Sequence, residues 1–182
     1  MTSYPVVLRG FSPADIARLC ELAGDWEVAK MTASIPHPYT PEMARGFIAG
    51  LDAAASRSEA WTYAVTRAGD GALVGCVTLT DDSGPRGNLG YWIGRPYWGM
   101  GYAGAAVRAI LAVGFAQLEH PALRALHLAS NPASGRVLAR CGMAEGARVT
   151  LPHRDERPQE FRTWSITREE LARHQDTSCT PR

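Results

Sequence analysis

The chain has 182 residues, 46% hydrophobic and 20% charged, with 19 Lys/Arg against 18 Asp/Glu and a formal charge of +1. That length fits one domain over residues 1–182, and the composition is that of a folded globule rather than a disordered chain. Near-neutrality leaves no basic surplus for grasping nucleic acid by its phosphates, and no apolar run reaches the ~18–20 residues of a membrane span.

The segment MTSYPVVLRGF lacks the basic-then-apolar order of a secretory leader, so a cytoplasmic location is expected. Cysteines at 20, 76, 141 and 179 and five scattered histidines form no CxxC or HExxH spacing. They are read as reduced thiols and non-ligating histidines, with no metal centre.

In chain order, Val6 to Phe11 reads as a strand. Ser12-Pro13-Ala14-Asp15 then signals a helix start: Ser as N-cap, Pro in the first turn, an acid after it. Ile16, Leu19, Cys20 and Ala23 form its apolar face. Residues 24–39 carry prolines and glycine without a period and read as loop with at most short helical pieces. Thr40-Pro41-Glu42 opens a second helix with the stripe Met43, Phe47, Ile48 and Leu51. Trp61 to Arg67 and Leu73 to Thr80, rich in Val, Thr and aromatics, are strands joined by the hairpin turn Ala68-Gly69-Asp70-Gly71.

A loop with Asp81, Asp82, Gly84 and Pro85 leads to a third strand, Asn88 to Ile93. A long helix follows from about Gly101 to Leu118, largely buried, because Arg108 is its lone charge and Val107, Ile110, Leu111, Gly114 and Leu118 share a face. Then come a strand (Ala125 to Ala129), a helix opened by Asn131-Pro132, and strands at Ala147–Leu151 and Phe161–Ile166. Thr167-Arg168-Glu169-Glu170 is a capping box for a terminal helix. The core is expected over about 6–174, with 175–182 a flexible tail. Strand–helix–strand around the 101–118 helix implies one parallel pair and the hairpin implies antiparallel neighbours. The fold class is therefore α/β (α+β), a mixed sheet flanked by helices.

The densest chemical signal is Trp98-Gly99-Met100-Gly101-Tyr102-Ala103-Gly104, set between a strand and a buried helix. Glycines cost helix stability but permit tight turns and close approach, and a helix N-terminus offers unpaired N–H groups and a positive dipole end to an anion. Close helix–sheet packing through small residues is the alternative. Gly99-x-Gly101-x-x-Gly104 also spells a dinucleotide fingerprint. Arg95-Pro96-Tyr97-Trp98 intervenes after the strand, however, and no acid ends the next one, so NAD binding is disfavoured.

LGYWIGRPYWGMGYAGAAVRAIL, followed by NPASGRVLARCGMAEG and preceded by IPHPYTPE, resembles the GNAT N-acetyltransferases, and within them the RimJ and RimL branch. The resemblance spans about residues 6–174. It implies a mostly antiparallel sheet with a splayed parallel strand pair that clamps acetyl-CoA, the cosubstrate. It also implies that the backbone from Gly99 through Met100, Gly101, Tyr102 and Ala103 to Gly104, flanked by Trp98, takes the pyrophosphate. The strand Tyr91, Trp92, Ile93 pairs with the pantetheine arm. Asn131 contacts that arm, and Ser134 donates to the departing thiolate. Asn131 before Pro is also a good N-cap on its own, and Ser134 could equally be a surface serine.

The sequence departs from the family pattern at Met143, Trp98, Ala105 and Asn88, the last two standing where relatives often carry acids. Asp81, Asp82, Glu160 and His37 are the remaining proton-relay candidates, each also readable as a loop or cap residue. Trp26, Tyr39, Trp61, Tyr91 and Trp92 are either walls of a substrate mouth or core. The expected partners are acetyl-CoA and a primary amine, either a peptide N-terminus or a small molecule, attacked directly in a ternary complex by a monomer or homodimer. The alternative is a non-catalytic acyl-CoA sensor or scaffold.

Overall fold

Ser, Thr and Asn at helix entries and Val-rich runs between turns set the local elements. The computed structural model describes them over residues 5–81, 88–118 and 120–178. The strands are β1 (Val6–Arg9), β2 (Ala60–Arg67), β3 (Leu73–Thr80), β4 (Leu89–Ile93), β5 (Ala122–Leu128), β6 (Ala144–Pro152) and β7 (Pro158–Thr167). The helices are α1 (Ile16–Ala23), α2 (Trp26–Ala29), α3 (Pro41–Ser56), α4 (Tyr102–Gln117), α5 (Pro132–Arg140) and α6 (Arg168–Ser178). One seven-stranded sheet runs in the order β1-β2-β3-β4-β5-β7-β6, antiparallel throughout except for β4 beside β5.

Alternation along the strands sends neighbours to opposite faces, and each face has its own core. Val65 packs with Val77, Leu79 and the buried side of α4, whereas Ala64 packs with Leu19, Leu22 and Ala44 of α1 and α3. Helix α4 is buried along Tyr102, Ala106, Val107, Ile110, Leu111, Gly114 and Phe115, as its near absence of charge requires. It lies so close to the sheet at Gly114 that a Cβ there would come within 2.7 Å of Leu123 Cδ1. No helix among the described residues is long and apolar enough to cross a membrane.

Several boundaries differ from the sequence reading. The first strand ends at Arg9, and Pro13–Asp15 is a single tight turn, with the α-helix starting at Ile16. The Asp15 carboxylate explains this. It accepts from Arg9 Nη1 and Nη2 at 2.8 and 2.7 Å and from the Ser12 N–H at 2.8 Å, which folds the chain back before the helix begins. β6 and β7 extend past the expected 147–151 and 161–166, because each borrows hydrogen bonds from the other along a hairpin. α6 continues to Ser178, into the stretch read as a tail. Asp82, Gly84 and Pro85 lie outside the described residues.

Candidate active site

The sheet opens where β4 and β5 part. Their parallel pairing is confined to Leu89 opposite Ala125, reinforced by the Asn88 N–H donating to the Arg124 carbonyl at 2.9 Å. Asn88 pins this closed end a second time: its Oδ1 accepts from the Arg124 N–H at 2.6 Å, and the residue is 3% exposed. Its carbonyl accepts from Thr80 N–H on β3 at 2.8 Å. Asn88 is thus a clamp between strands, and its amide oxygen is spent on the backbone of β5.

Beyond the clamp, strand parity decides which peptide groups face the gap. Gly94 N–H donates to Val74 O at 2.8 Å, and β4 is in register with β3 through Trp92 opposite Cys76 and Gly90 opposite Thr78. Residues 90 and 92 therefore exchange hydrogen bonds with β3, and the intervening Tyr91 and Ile93 turn their N–H and C=O groups the other way. With β5 diverged, those groups line the gap. The Ile93 carbonyl is claimed by the Trp98 indole N–H at 2.6 Å, which folds the connection back over the end of β4. Trp92 gives its backbone to β3, and its side chain packs with the α1–α3 core.

The glycine turn stands at the open end of this gap. Gly99 and Gly101 have φ of +78° and +85°, the left-handed region that favours glycine, and Gly101 is the N-cap of α4. No side chain caps the helix, and no acid lies in its first turn. The helical ladder begins with Ala105 N–H donating to Gly101 O at 3.1 Å, so the N–H groups ahead of it point out of the helix end. Gly104 is helical rather than part of the turn. A Cβ on it would come within 3.4 Å of Arg108 Nη1, so the guanidinium lies back along α4 toward its N-terminus. Cys141, at the end of α5, donates its thiol hydrogen to Gly104 O at 3.5 Å and ties the two helices together. Of the turn's side chains, Trp98 and Met100 are exposed, whereas Tyr102 is buried edge-on against Tyr97.

Across the gap, Asn131 caps α5: its Oδ1 accepts from Ser134 N–H at 3.3 Å. The Tyr91 hydroxyl reaches over to this first turn, 2.7 Å from Ser134 Oγ and 3.1 Å from the Ser134 carbonyl oxygen. Burial pushes the Tyr91 phenol well above its usual value, and the Ser134 hydrogen bond offsets only part of that. Sequence reasoning assigned Tyr91 a backbone role and missed its hydroxyl, because nothing local says which residue of another element an alternating strand side chain will meet. Beneath α5, His127 of β5 is 6% exposed, and its Nδ1–H donates to Leu128 O at 2.7 Å. A Cβ on Gly135 would approach His127 Nε2 to 2.7 Å.

The other candidates lie elsewhere. Asp81 pairs with His120 Nε2 at 2.7 Å beside the start of β5, the opposite end of the sheet from the glycine turn. Glu160 of β7 is nearer: its carbonyl accepts from Ala129 N–H just past β5 at 2.8 Å, and its carboxylate pairs with Arg148 of β6 at 3.3 Å. His37 packs at a tilt against exposed Trp26, 5.0 Å between ring centroids, and Arg154 covers that indole at 5.4 Å. Arg154 also donates to Ala29 O at 3.0 Å and to Ile35 O, docking the β6–β7 tip on the α1–α3 connection. Tyr39 is held in the α1–α3 core, where burial pushes its hydroxyl up to about 12. Trp61 packs at the Asp81 end.

A family model described as an acetyltransferase (GNAT) domain matches residues 6–144. RimJ of Mycobacterium smegmatis, solved in complex with CoA-disulfide, superposes with a TM-score of 0.80 at 23% identity, covering 95% of this chain and 88% of that one. A spermidine N-acetyltransferase from Vibrio cholerae, in complex with CoA and spermine, gives 0.74 at 16% identity over 92% of this chain and 98% of that one. RimL, a ribosomal L7/L12 alpha-N-protein acetyltransferase in complex with coenzyme A, gives 0.76 at 14% identity over 92% and 96%. No curated protein matches the sequence.

Proposed function

The chain belongs to the GNAT acetyltransferase family, whose acyl donor is acetyl-CoA, and we propose that it acetylates a primary amine, a peptide α-amine or a small-molecule amine, in the manner of the RimJ/RimL branch. The observation that carries this is the gap between β4 and β5. Peptide groups of Tyr91 and Ile93 face it, and it opens between the uncapped N-terminus of α4 and Ser134.

The residues present fit the donor. A cofactor arm built of amides needs an unpaired strand edge, and a diphosphate needs converging N–H donors. The Gly99–Gly104 turn holds such donors with no carboxylate to repel the anion. When bound, acetyl-CoA supplies an activated acetyl thioester. The Tyr91 and Ile93 N–H groups, which face away from β3, would hold the arm and would donate to an oxygen on which negative charge develops. Asn131 fixes the first turn of α5, and the Ser134 hydroxyl donates a hydrogen bond to the sulfur as the C–S bond breaks and its electron pair moves onto sulfur. The proton lost by the attacking amine goes to water.

That last assignment agrees with the pairing of the carboxylate candidates among the described residues. Asn88 Oδ1 is locked to Arg124 N–H, Asp81 is paired with His120 at the far end of the sheet, and the Glu160 carboxylate is held by Arg148. An α-amine with a pKa near 7.7–8.0 is already roughly 10% neutral at pH 7, whereas a lysine near 10.4 is neutral at about 4 in 10,000. An acceptor of the first kind needs no dedicated base.

The test is a panel of peptides with free N-termini, polyamines and small amines, incubated with acetyl-CoA and read by mass spectrometry. An acetylated product is expected, and Ser134→Ala should lower turnover by about 10- to 150-fold with little change in acetyl-CoA affinity. Acetyl-CoA binding with no product from any amine would favour an acyl-CoA sensor instead.

A further inference from the structure

We propose that Tyr91 is a positioning residue that turns the Ser134 hydroxyl hydrogen toward the sulfur of bound CoA; this rests on the acetyl-CoA reading of the gap. The phenol has one hydrogen and two acceptors within reach, Ser134 Oγ at 2.7 Å and Ser134 O at 3.1 Å. If it donated to the carbonyl, the serine hydroxyl would have to donate back to the phenol, and its hydrogen would point away from the gap. If it donates to Oγ, the serine hydrogen is released to point outward.

The 2.7 Å contact is a hydrogen bond in either arrangement, and donor strength favours the second: a phenol, with a pKa near 10, is a stronger donor than an alkyl hydroxyl, at the expense of the longer 3.1 Å bond to the carbonyl. Burial among the strands also keeps that phenol protonated through the working pH range. Among the described residues, Tyr91 is the sole hydrogen-bond partner of Ser134 Oγ, so nothing else fixes the direction of the serine hydrogen. An Oγ that accepts from a phenol is polarised and becomes a better donor to an anion in front of it. A tyrosine on one side of the gap therefore sets the proton on a serine across it, and the arrangement arises only because β4 and β5 have parted.

The experiment uses CoA itself and needs no acceptor. The thiolate of protein-bound CoA is titrated by its ultraviolet absorbance in the wild type, Tyr91→Phe, Ser134→Ala and the double variant. Tyr91→Phe keeps the ring and its packing, and folding is checked by thermal melting. A hydrogen bond from Ser134 holds the bound thiol's midpoint down, so Ser134→Ala should raise it by about one to two pH units. Tyr91→Phe should raise it by about half as much. The double variant should match Ser134→Ala, because the phenol acts only through the serine.

An equal Tyr91→Phe shift on top of Ser134→Ala would make the effect general packing or field, and would overturn the assignment. So would no shift in Tyr91→Phe beside a clear one in Ser134→Ala, an outcome that leaves Ser134 as donor. No shift in either variant, with CoA bound, removes both residues from the sulfur. Failure of the wild type to bind CoA would sink the acetyl-CoA reading itself, and the assignment with it.

Discussion

Replacing Asn88 with Ala should cost stability and spare chemistry. The substitution keeps the backbone bonds of residue 88 to Arg124 O and from Thr80 N–H and deletes only the acceptor that takes the Arg124 N–H at 2.6 Å. A neutral hydrogen bond contributes about 1 kcal/mol net, and an N–H left without a partner in a poorly solvated place costs about 1–3 kcal/mol. Asn88 is 3% exposed but the bond itself is only partly buried, so about 2 kcal/mol is the reasonable figure. For a chain of this length each kcal/mol moves the melting temperature by about 2–4 °C, which gives a fall of about 4–8 °C. The assay pairs a thermal melt with acetyl-transfer kinetics well below the transition. Acetyl-CoA affinity and turnover should stay within a few-fold of wild type, since the strand edge beyond the clamp is untouched. A melt unchanged to within about 1 °C, accompanied by a large loss of turnover, would refute the reasoning and give Asn88 a direct part in the chemistry.

Gly101→Val should abolish the stabilisation by CoA, worth about 2.7 kcal/mol at 100 times the dissociation constant, because φ of +85° excludes a β-branched residue from the turn; an undiminished CoA-dependent melting shift would contradict this. Asp15, buried and bonded to Arg9 and then to Ser12, has its carboxyl held below the usual carboxylate range. Its contribution is therefore present above the unfolded value near 3.9 and is lost as pH falls through the lower folded value. Asp15→Asn should cost about 1–2 kcal/mol at pH 7, discounted for the partly exposed Arg9, and should flatten the acid limb of melting temperature against pH; parallel curves would sink the idea. Gly135→Ala gains up to about 1 kcal/mol of helix propensity but forces a Cβ to 2.7 Å from His127 Nε2 and 3.3 Å from Trp164 Cζ2, so a net loss of about 1–2 kcal/mol is expected by chemical denaturation, and a stabilised variant would show that the rings yield freely.

Much of the local structure was legible because its causes lie within a few residues. Thr40 Oγ1 caps α3 through Met43 N–H at 3.3 Å, and Asn131 caps α5 through Ser134 N–H at 3.3 Å. Thr167 and Glu170 exchange their bonds at the head of α6, 2.8 Å from the Thr167 N–H to Glu170 Oε2 and 3.2 Å from the Glu170 N–H to Thr167 Oγ1. Each is a side chain meeting a backbone group three positions away, so spacing alone announces it. The glycine turn was legible for the same reason, though only Gly99 and Gly101 need left-handed backbone; Gly104 leaves room for Arg108 instead. The turn at Asp15 shows the limit even of local signals: a helix start read from Ser12-Pro13 yielded to a carboxylate drawn back by Arg9.

Tertiary structure decided the site. The one-residue contact of β4 with β5, the clamp at Asn88, and the meeting of Tyr91 with Ser134 join residues 36 and 43 positions apart. Asp81 was drawn to His120, 39 positions away and at the wrong end of the sheet for a proton relay. Strand periodicity states which face a side chain takes, but not which strand lies beside it or where two strands cease to pair. Those follow from how α4 and α5 pack over one face of the sheet. The sequence by itself therefore determined the chemistry on offer: a glycine turn at a helix start, a serine in the first turn of an Asn-capped helix, and a strand ahead of the turn in the chain. The folded sheet alone determined that they face one another across a gap.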